Sequence, residues 1–161
     1  MAKKENKTNA LRQLDQKKVS YEIHTYDVAD GAIDGISVAN KLQEDIKRVF
    51  KTLVCVSNTK KYYVYVIPVE AHLDLKVAAK VANEKSIAMI AQKELLPLTG
   101  YIHGGCSPIG MKKSFHTFVD SSACQYTTIY VSAGKVGMQV ELNPNDLMTI
   151  IDGKFAELVN M

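Results

Sequence analysis

Residues 49–56 read Val-Phe-Lys-Thr-Leu-Val-Cys-Val, an apolar run that contains one lysine, Lys51. Because side chains alternate across a β-strand, Lys51 shares one face with Val49 and Leu53, and the opposite face is apolar too. A strand that is apolar on both faces is typical of the interior of a sheet. An ammonium group in that place needs an anionic or carbonyl partner, or a cleft that opens to water. We therefore expect Lys51 to meet a ligand; the alternative is a lysine that reaches the rim of the sheet or pairs with a carboxylate.

The residues around this run predict a mixture of strands and short helices. A second apolar run at residues 62–67 follows a polar connection, which predicts an antiparallel hairpin. Further strands are predicted at residues 21–26, 114–119, 127–131 and 136–142, with a loop at 27–35 and a turn at 132–135. Helices are predicted behind the N-caps Thr8, Ser37, Asp74 and Asn143, and near residues 91–96. This order predicts an α+β fold with a central mixed, largely antiparallel sheet and short helices around it.

Composition limits the class of protein. The 161 residues, 47% of them hydrophobic, suffice for one core, so we expect a single domain over residues 1–161. A net charge of +3 is too balanced for a protein that coats DNA, although a small anionic contact remains open. The three cysteines form no CxxC pair, which favours reduced thiols. With a polar N-terminus and no long apolar run, the sequence predicts a soluble cytoplasmic protein without a membrane segment.

A glycine-rich loop is the second informative element. Residues 103–113 read His-Gly-Gly-Cys-Ser-Pro-Ile-Gly-Met-Lys-Lys, and such a loop brings bare backbone close to a ligand. Gly105 and Gly110 have the spacing of a phosphate-binding P-loop, but Met111 stands where that motif needs lysine and Pro108 lacks an amide donor. The pattern therefore excludes a P-loop nucleotide triphosphatase. The alternative to a ligand-binding loop is an ordinary surface turn.

Two other chemistries are open at the same loop. Cys106 is a candidate nucleophile with His103 or His116 as its base, which would make the protein a thiol hydrolase. Alternatively, Cys106 is a small core residue. The four residues His103, Cys106, His116 and Cys124 match no usual zinc spacing, so we expect neither a metal nor a cofactor.

Three segments in order resemble the YbaK/EbsC family of free-standing aminoacyl-tRNA deacylases. They are Val-Phe-Lys-Thr-Leu-Val at residues 49–54, Gly-Gly-Cys-Ser-Pro-Ile-Gly at 104–110 and Val-Ser-Ala-Gly-Lys-Val-Gly at 131–137. The family is similar to the editing domain inserted in bacterial prolyl-tRNA synthetases, and the resemblance spans nearly the whole chain. It implies a partly barrel-like sheet and the removal of wrong amino acids from tRNA, typically cysteine from proline tRNA. It also implies the acceptor end of tRNA as the ligand and prolyl-tRNA synthetase as a candidate partner.

The resemblance implies a set of site residues. Lys51 and Gly105 are the expected catalytic residues. The expected substrate-binding residues are Tyr26, Gly104, Ser107, Ser132 and Gly134. Lys51 would meet a carbonyl, hydroxyl or phosphate oxygen, and the glycine amides would stabilise negative charge on the reacting carbonyl.

The resemblance also implies a mechanism without a protein nucleophile, in which the thiol of the bound cysteine attacks its own ester. Cys106 would then belong to the scaffold. The segment after Tyr26, residues 27–31, departs from the His- and Asp-rich pattern of many members, so its role is open.

Two alternatives remain beside the cysteinyl deacylase. One is the same fold acting on an alanyl or another small aminoacyl ester. The other is a non-catalytic tRNA- or nucleotide-binding module. The presence of Lys51 together with the full loop 104–110 argues against the second alternative, since a binding module needs neither.

Overall fold

A computed structural model describes residues 7–32 and 34–160 of the chain. The predicted domain (1–161) and the predicted loop 27–35 therefore each include residues outside this description. The helices are α1 (Asn9–Gln16), α2 (Gly35–Leu42), α3 (Leu75–Val81), α4 (Leu95–Thr99) and α5 (Pro144–Ile151), with 3₁₀ turns at Ile46–Arg48, Gln92–Glu94 and Ser121–Gln125. The strands are β1 (Glu22–Thr25), β2 (Phe50–Ser57), β3 (Tyr62–Pro68), β4 (His72–Leu73), β5 (Ile87–Met89), β6 (His116–Asp120), β7 (Ile129–Lys135), β8 (Met138–Leu142), β9 (Lys154–Ala156) and β10 (Val159–Asn160).

β4 and β10 form a two-stranded antiparallel pair. The other strands form a mixed five-stranded sheet in the order β5-β2-β3-β6-β9 and an antiparallel three-stranded sheet in the order β1-β8-β7. In the larger sheet β2 runs antiparallel to β3 and β5, whereas β6 runs parallel to β3 and β9. A parallel bridge between Val49 and Tyr130 joins the two sheets. The predicted α+β class with a mixed sheet is confirmed. Within the described ranges the sheets do not close into a barrel.

The lysine-containing strand β2 is covered on both faces, as its sequence predicts. Phe50 and Val54 belong to a core that includes Leu14 of α1, while Cys55 belongs to a second core with Tyr65. The predicted hairpin of β2 and β3 is confirmed with Lys51 opposite Ile67. β2 is therefore an interior strand of the sheet.

Most predicted helix caps are confirmed and one is wrong. The Thr8, Asp74 and Asn143 side chains each accept a hydrogen bond from the first turn of their helix. At α2 the cap is Asp34, whose carboxylate accepts from the Ser37 amide at 3.1 Å and from the Ser37 hydroxyl at 2.7 Å. Ser37 thus lies inside the first turn. Both residue types are good caps, and the helix begins at the earlier one.

The predicted turn at residues 132–135 is also wrong. β7 continues to Lys135, with an irregular register between Ser132 and Lys135, and the chain reverses at residues 136–137. Gly134, at φ +99°, belongs to this bulge rather than to a turn. In the part of the chain that the structure describes, no helix is long and apolar enough to cross a membrane.

Candidate functional site

A cleft of about 530 Å³ lies against the first half of β2. β2 pairs with β3 along its length, but its ladder with β5 covers only residues 55–57, and its one described bridge to β7 is at Val49, the residue before the strand. Its second edge is therefore open at about residues 50–53, and this opening explains why consecutive residues of β2 line the cleft. The other walls come from Tyr26, the start of α2, residues 89–95, the glycine loop, and β7 with β8.

Lys51 supplies the positive charge of the cleft. Burial lowers the pKa of its ammonium, and no neighbouring charge contributes to this shift. Among the described residues Lys51 belongs to no ion pair. Pairing with a carboxylate, one alternative to a ligand, is therefore not found. A half-buried ammonium without an internal partner can interact with an anionic or carbonyl group of a bound molecule.

Three buried polar atoms of the cleft residues also lack partners within the described part of the chain. They are the Tyr26 hydroxyl, the Thr52 hydroxyl and the Gln139 side-chain oxygen Oε1. Gln139 is only 6% exposed and lies opposite Ser132, another cleft residue, across β7 and β8. An unsatisfied buried polar group costs about 1–3 kcal/mol, and such groups call for a specific explanation. The residues that carry these three atoms line the cleft, so a bound ligand or ordered water would supply the missing partners.

The structure brings four of the predicted site residues to the cleft and places three outside its wall. The cleft residues are Tyr26, Lys51, Gly104 and Ser132. Gly105 packs against the β7–β8 turn, where an added Cβ would lie 2.8 Å from the Val136 nitrogen. Its lack of a side chain is thus explained by close backbone packing.

The other two residues outside the wall also have structural roles. The Ser107 hydroxyl is buried and accepts from the Ile109 amide at 3.2 Å. A Cβ on Gly134 would lie 2.8 Å from the Tyr101 ring. The functional roles of Gly105, Ser107 and Gly134 stay predictions.

Cys106 is poorly suited to act as a nucleophile. It lines the cleft together with His103, but burial raises the pKa of its thiol to about 12. The thiol therefore stays protonated at neutral pH, and the described contacts include no hydrogen bond from it to a histidine. These observations favour the scaffold role.

The residues considered for zinc do not form a cluster in the described ranges. The group that does come together is Glu22, His24 and Glu141, which lies outside the cleft. Glu141 already accepts hydrogen bonds from Arg48 and Thr128.

Sequence reasoning missed Thr52, Gln139 and Asp34 as residues of the cleft. Thr52 directly follows Lys51 in the apolar run, and Gln139 is an uncharged polar residue inside a predicted strand. Both are polar residues in strands that have few other polar positions, and this was the available signal. Asp34 gave no such signal, because it lies in a polar loop.

Comparisons with known proteins show the family to which the chain is similar. A family model described as "Aminoacyl-tRNA editing domain" matches residues 33–150. EbsC of Enterococcus faecalis, a proposed Cys-tRNA(Pro)/Cys-tRNA(Cys) deacylase, is 46% identical over 160 residues, which cover 98% of each chain.

Two solved structures share the fold. The crystal structure of a proposed trans-editing enzyme for prolyl-tRNA synthetase has a TM-score of 0.84 at 17% identity, covering 95% of this chain and 96% of that one. The crystal structure of hypothetical protein APE2540 has a TM-score of 0.86 at 18% identity, covering 95% of this chain and 100% of that one.

Proposed function

Since the chain belongs to the aminoacyl-tRNA editing domain family, we propose that it is a deacylase that removes cysteine from mischarged Cys-tRNA(Pro). Family membership supports cleavage of an aminoacyl ester on tRNA. The name of the Enterococcus relative, which gives Cys-tRNA(Pro) and Cys-tRNA(Cys), supports the choice of cysteine.

The observation that carries the proposal is the Lys51 ammonium, which has no ion-pair partner among the described residues and lies in a cleft where three buried polar atoms, on Tyr26, Thr52 and Gln139, also lack described partners. An aminoacyl ester on tRNA offers a carbonyl oxygen, an α-ammonium, ribose hydroxyls and a phosphate. Lys51 donates to the carbonyl or phosphate oxygen. Gln139 Oε1 accepts from the α-ammonium, and the Tyr26 and Thr52 hydroxyls bind the remaining polar groups.

The reaction that fits this cleft uses the thiol of the substrate. The thiol sulfur bonds to the carbonyl carbon, the bond from that carbon to the ribose oxygen breaks, and the thiol proton passes to the departing oxygen. The product, a cyclic thioester of cysteine, is then opened by water. Lys51 stabilises the negative charge that develops on the carbonyl oxygen, and the cleft holds the thiol near its target.

The proposal includes partners and a place of action. A net charge of +3 suits recognition of the acceptor end rather than a long stretch of nucleic acid. We propose that prolyl-tRNA synthetase supplies the selection of proline tRNA in a transient complex. Because aminoacyl-tRNA is used in the cytoplasm, the protein would act there with its three cysteines, Cys55, Cys106 and Cys124, as free thiols.

A deacylation panel tests the proposal. Cysteinyl, seryl, alanyl and prolyl esters on the same proline tRNA are incubated with the wild type and with Cys106→Ser. We expect the cysteinyl ester to be cleaved at least about a hundredfold faster than the seryl and alanyl esters, because an alcohol is a far weaker nucleophile than a thiolate and alanine has none. Cys106→Ser should retain substantial activity, and chelators should have no effect.

Each alternative predicts a different result in this panel. Equal rates for the alanyl and cysteinyl esters would overturn the thiol-assisted mechanism and leave a deacylase for small amino acids. Complete loss of activity in folded Cys106→Ser, with an acyl-enzyme trapped in the wild type, would favour the thiol hydrolase. Binding of the tRNA without cleavage of any ester would favour the binding module.

A further inference from the structure

Lys41, in the last turn of α2, is bound to the segment that precedes its own helix. Its ammonium donates to the Asp27 carbonyl at 2.6 Å, to Asp30 Oδ1 at 2.8 Å and to the Ala32 carbonyl at 2.9 Å. An ammonium has three donors, so each one is used. Only 20% of the Lys41 side chain is exposed, whereas the Asp30 side chain is 55% exposed.

The segment at residues 27–32, which we call the wall segment, has little else to hold it. Its residues 27–31 are exposed, so burial of apolar surface contributes little to its order. Its other described hydrogen bonds are internal: the Ala29 amide to Asp27 Oδ1, the Gly31 amide to the Val28 carbonyl, and the Ala32 amide to Asp30 Oδ1. Within the described residues, Lys41 is therefore the main tie between the wall segment and the helix.

The wall segment connects residues that line the cleft. Tyr26, with its unpartnered hydroxyl, comes directly before it, and Asp34 and Ile36 come shortly after it. A shift of this segment would move one wall of the cleft relative to Lys51 on β2. Neither Lys41 nor its three acceptors lines the cleft, so an effect of Lys41 on the reaction has to pass through the segment.

We propose that Lys41 is a positioning residue, which fixes the wall segment so that Tyr26 and the start of α2 stay in place for the aminoacyl ester. This inference rests on the proposed deacylase function. It assigns a role to the segment that follows Tyr26. It also gives the two lysines different roles, since Lys51 touches the substrate and Lys41 holds the wall that the substrate meets.

The first test needs no substrate. Lys41→Met keeps an unbranched side chain of similar length and removes the three donors. Lys80→Met, in the last turn of α3 and exposed, is the matched control. Hydrogen exchange of the Ala29, Gly31 and Ala32 amides should accelerate about tenfold or more in Lys41→Met and stay unchanged in the control, because the loss of three hydrogen bonds favours local opening.

The second test measures deacylation of Cys-tRNA(Pro) by the same variants. In Lys41→Met we expect KM to rise about tenfold while kcat changes by less than about threefold, since the wall acts mainly in holding the bound ester. The melting temperature should stay within about 2 °C of the control, because the exposed wall segment can open locally without unfolding the cores of the protein. A purely structural role would instead lower the melting temperature and leave KM unchanged. Asp30→Asn, which removes the charge of the one carboxylate among the three acceptors, should give the same pattern with a smaller rise in KM.

The outcomes separate this inference from the proposed function. Amide exchange in Lys41→Met equal to that in Lys80→Met would overturn the inference. Faster exchange with an unchanged KM, in an active wild type, would also overturn it. A wild type that cleaves no aminoacyl ester, combined with faster exchange in Lys41→Met, would overturn the proposed function and support the tie between Lys41 and the wall segment.

Discussion

Two groups of polar side chains lie close together in the sequence but differ in how their hydrogen bonds are satisfied. In the cleft, Lys51 and Gln139 have no described partner for their ammonium and carbonyl groups. Three residues before Lys51, Arg48 donates to the Thr128 carbonyl at 3.1 Å and to Glu141 Oε2 at 3.2 Å. Two residues after Gln139, Glu141 is paired with Arg48 and also accepts from the Thr128 hydroxyl.

The comparison shows which polar groups belong to the framework and which are left for a ligand. The second group, which we call the Arg48 network, ties β7 and β8 to the 3₁₀ turn before β2, and His24 also lies 2.9 Å from Glu141. Its members satisfy one another, so it contributes to stability without help from outside. The cleft residues carry a desolvation cost that their own protein does not offset, which is typical of a binding site.

The largest effect is expected for Lys51→Ala. Removing the ammonium should lower single-turnover deacylation of Cys-tRNA(Pro) by about a hundredfold or more, because a charge at the reacting carbonyl stabilises the transition state. The fold should persist, since no ion-pair partner of Lys51 among the described residues loses its contact. Lys76→Ala, an exposed lysine of α3, is the control. Rates near those of the wild type would show that Lys51 does not act on the bound ester. The contrast between the cleft residues and the Arg48 network would then lose its main support.

Sequence reasoning predicted Lys51 because the signal is local. An ammonium in a strand that is apolar on both faces conflicts with burial, and the conflict is visible without a structure. The caps Thr8, Asp74 and Asn143 are also local signals, since each lies two or three residues from the amide that it binds. Two apolar runs with a short polar connection between them likewise predicted the hairpin of β2 and β3.

The features that sequence reasoning missed depend on distant contacts or on very short elements. The strands β4, β5, β9 and β10 have two or three residues each, too few to show a period. The glycine at 105 is explained by the close approach of the Val136 backbone, which is distant in the sequence. The residues next to Gly105 give no signal from which this contact could be predicted. Gln139 enters the cleft because β8 lies beside β7 and across from β2, and this arrangement is a property of the assembled sheets.

A smaller effect is expected for Gln139→Leu. Losing the acceptor for the α-ammonium should lower kcat/KM about tenfold, the equivalent of one good hydrogen bond to a charged group. Stability should stay the same or rise slightly, because the variant removes a buried oxygen that has no partner in the described structure. Thermal unfolding and deacylation are measured side by side, with exposed Gln125→Leu as the control. A clear loss of stability would mean that Gln139 is satisfied within the protein and belongs with the framework.

The smallest effect on activity is expected for Arg48→Met, which tests the other side of the comparison. The variant leaves the Thr128 carbonyl and one Glu141 oxygen without their guanidinium donor and removes the cation from the Tyr130 ring, 5.2 Å away. Because these groups are partly buried, we expect a loss of about 2 kcal/mol and a fall of about 4–8 °C in the melting temperature. Deacylation below that temperature should stay within about twofold of the wild type, since Arg48 does not line the cleft. Lys47→Met, one residue earlier, is the control for charge. A large loss of activity at full folding would show that the Arg48 network also acts on the substrate, and the separation between partnered framework and unpartnered site would no longer hold.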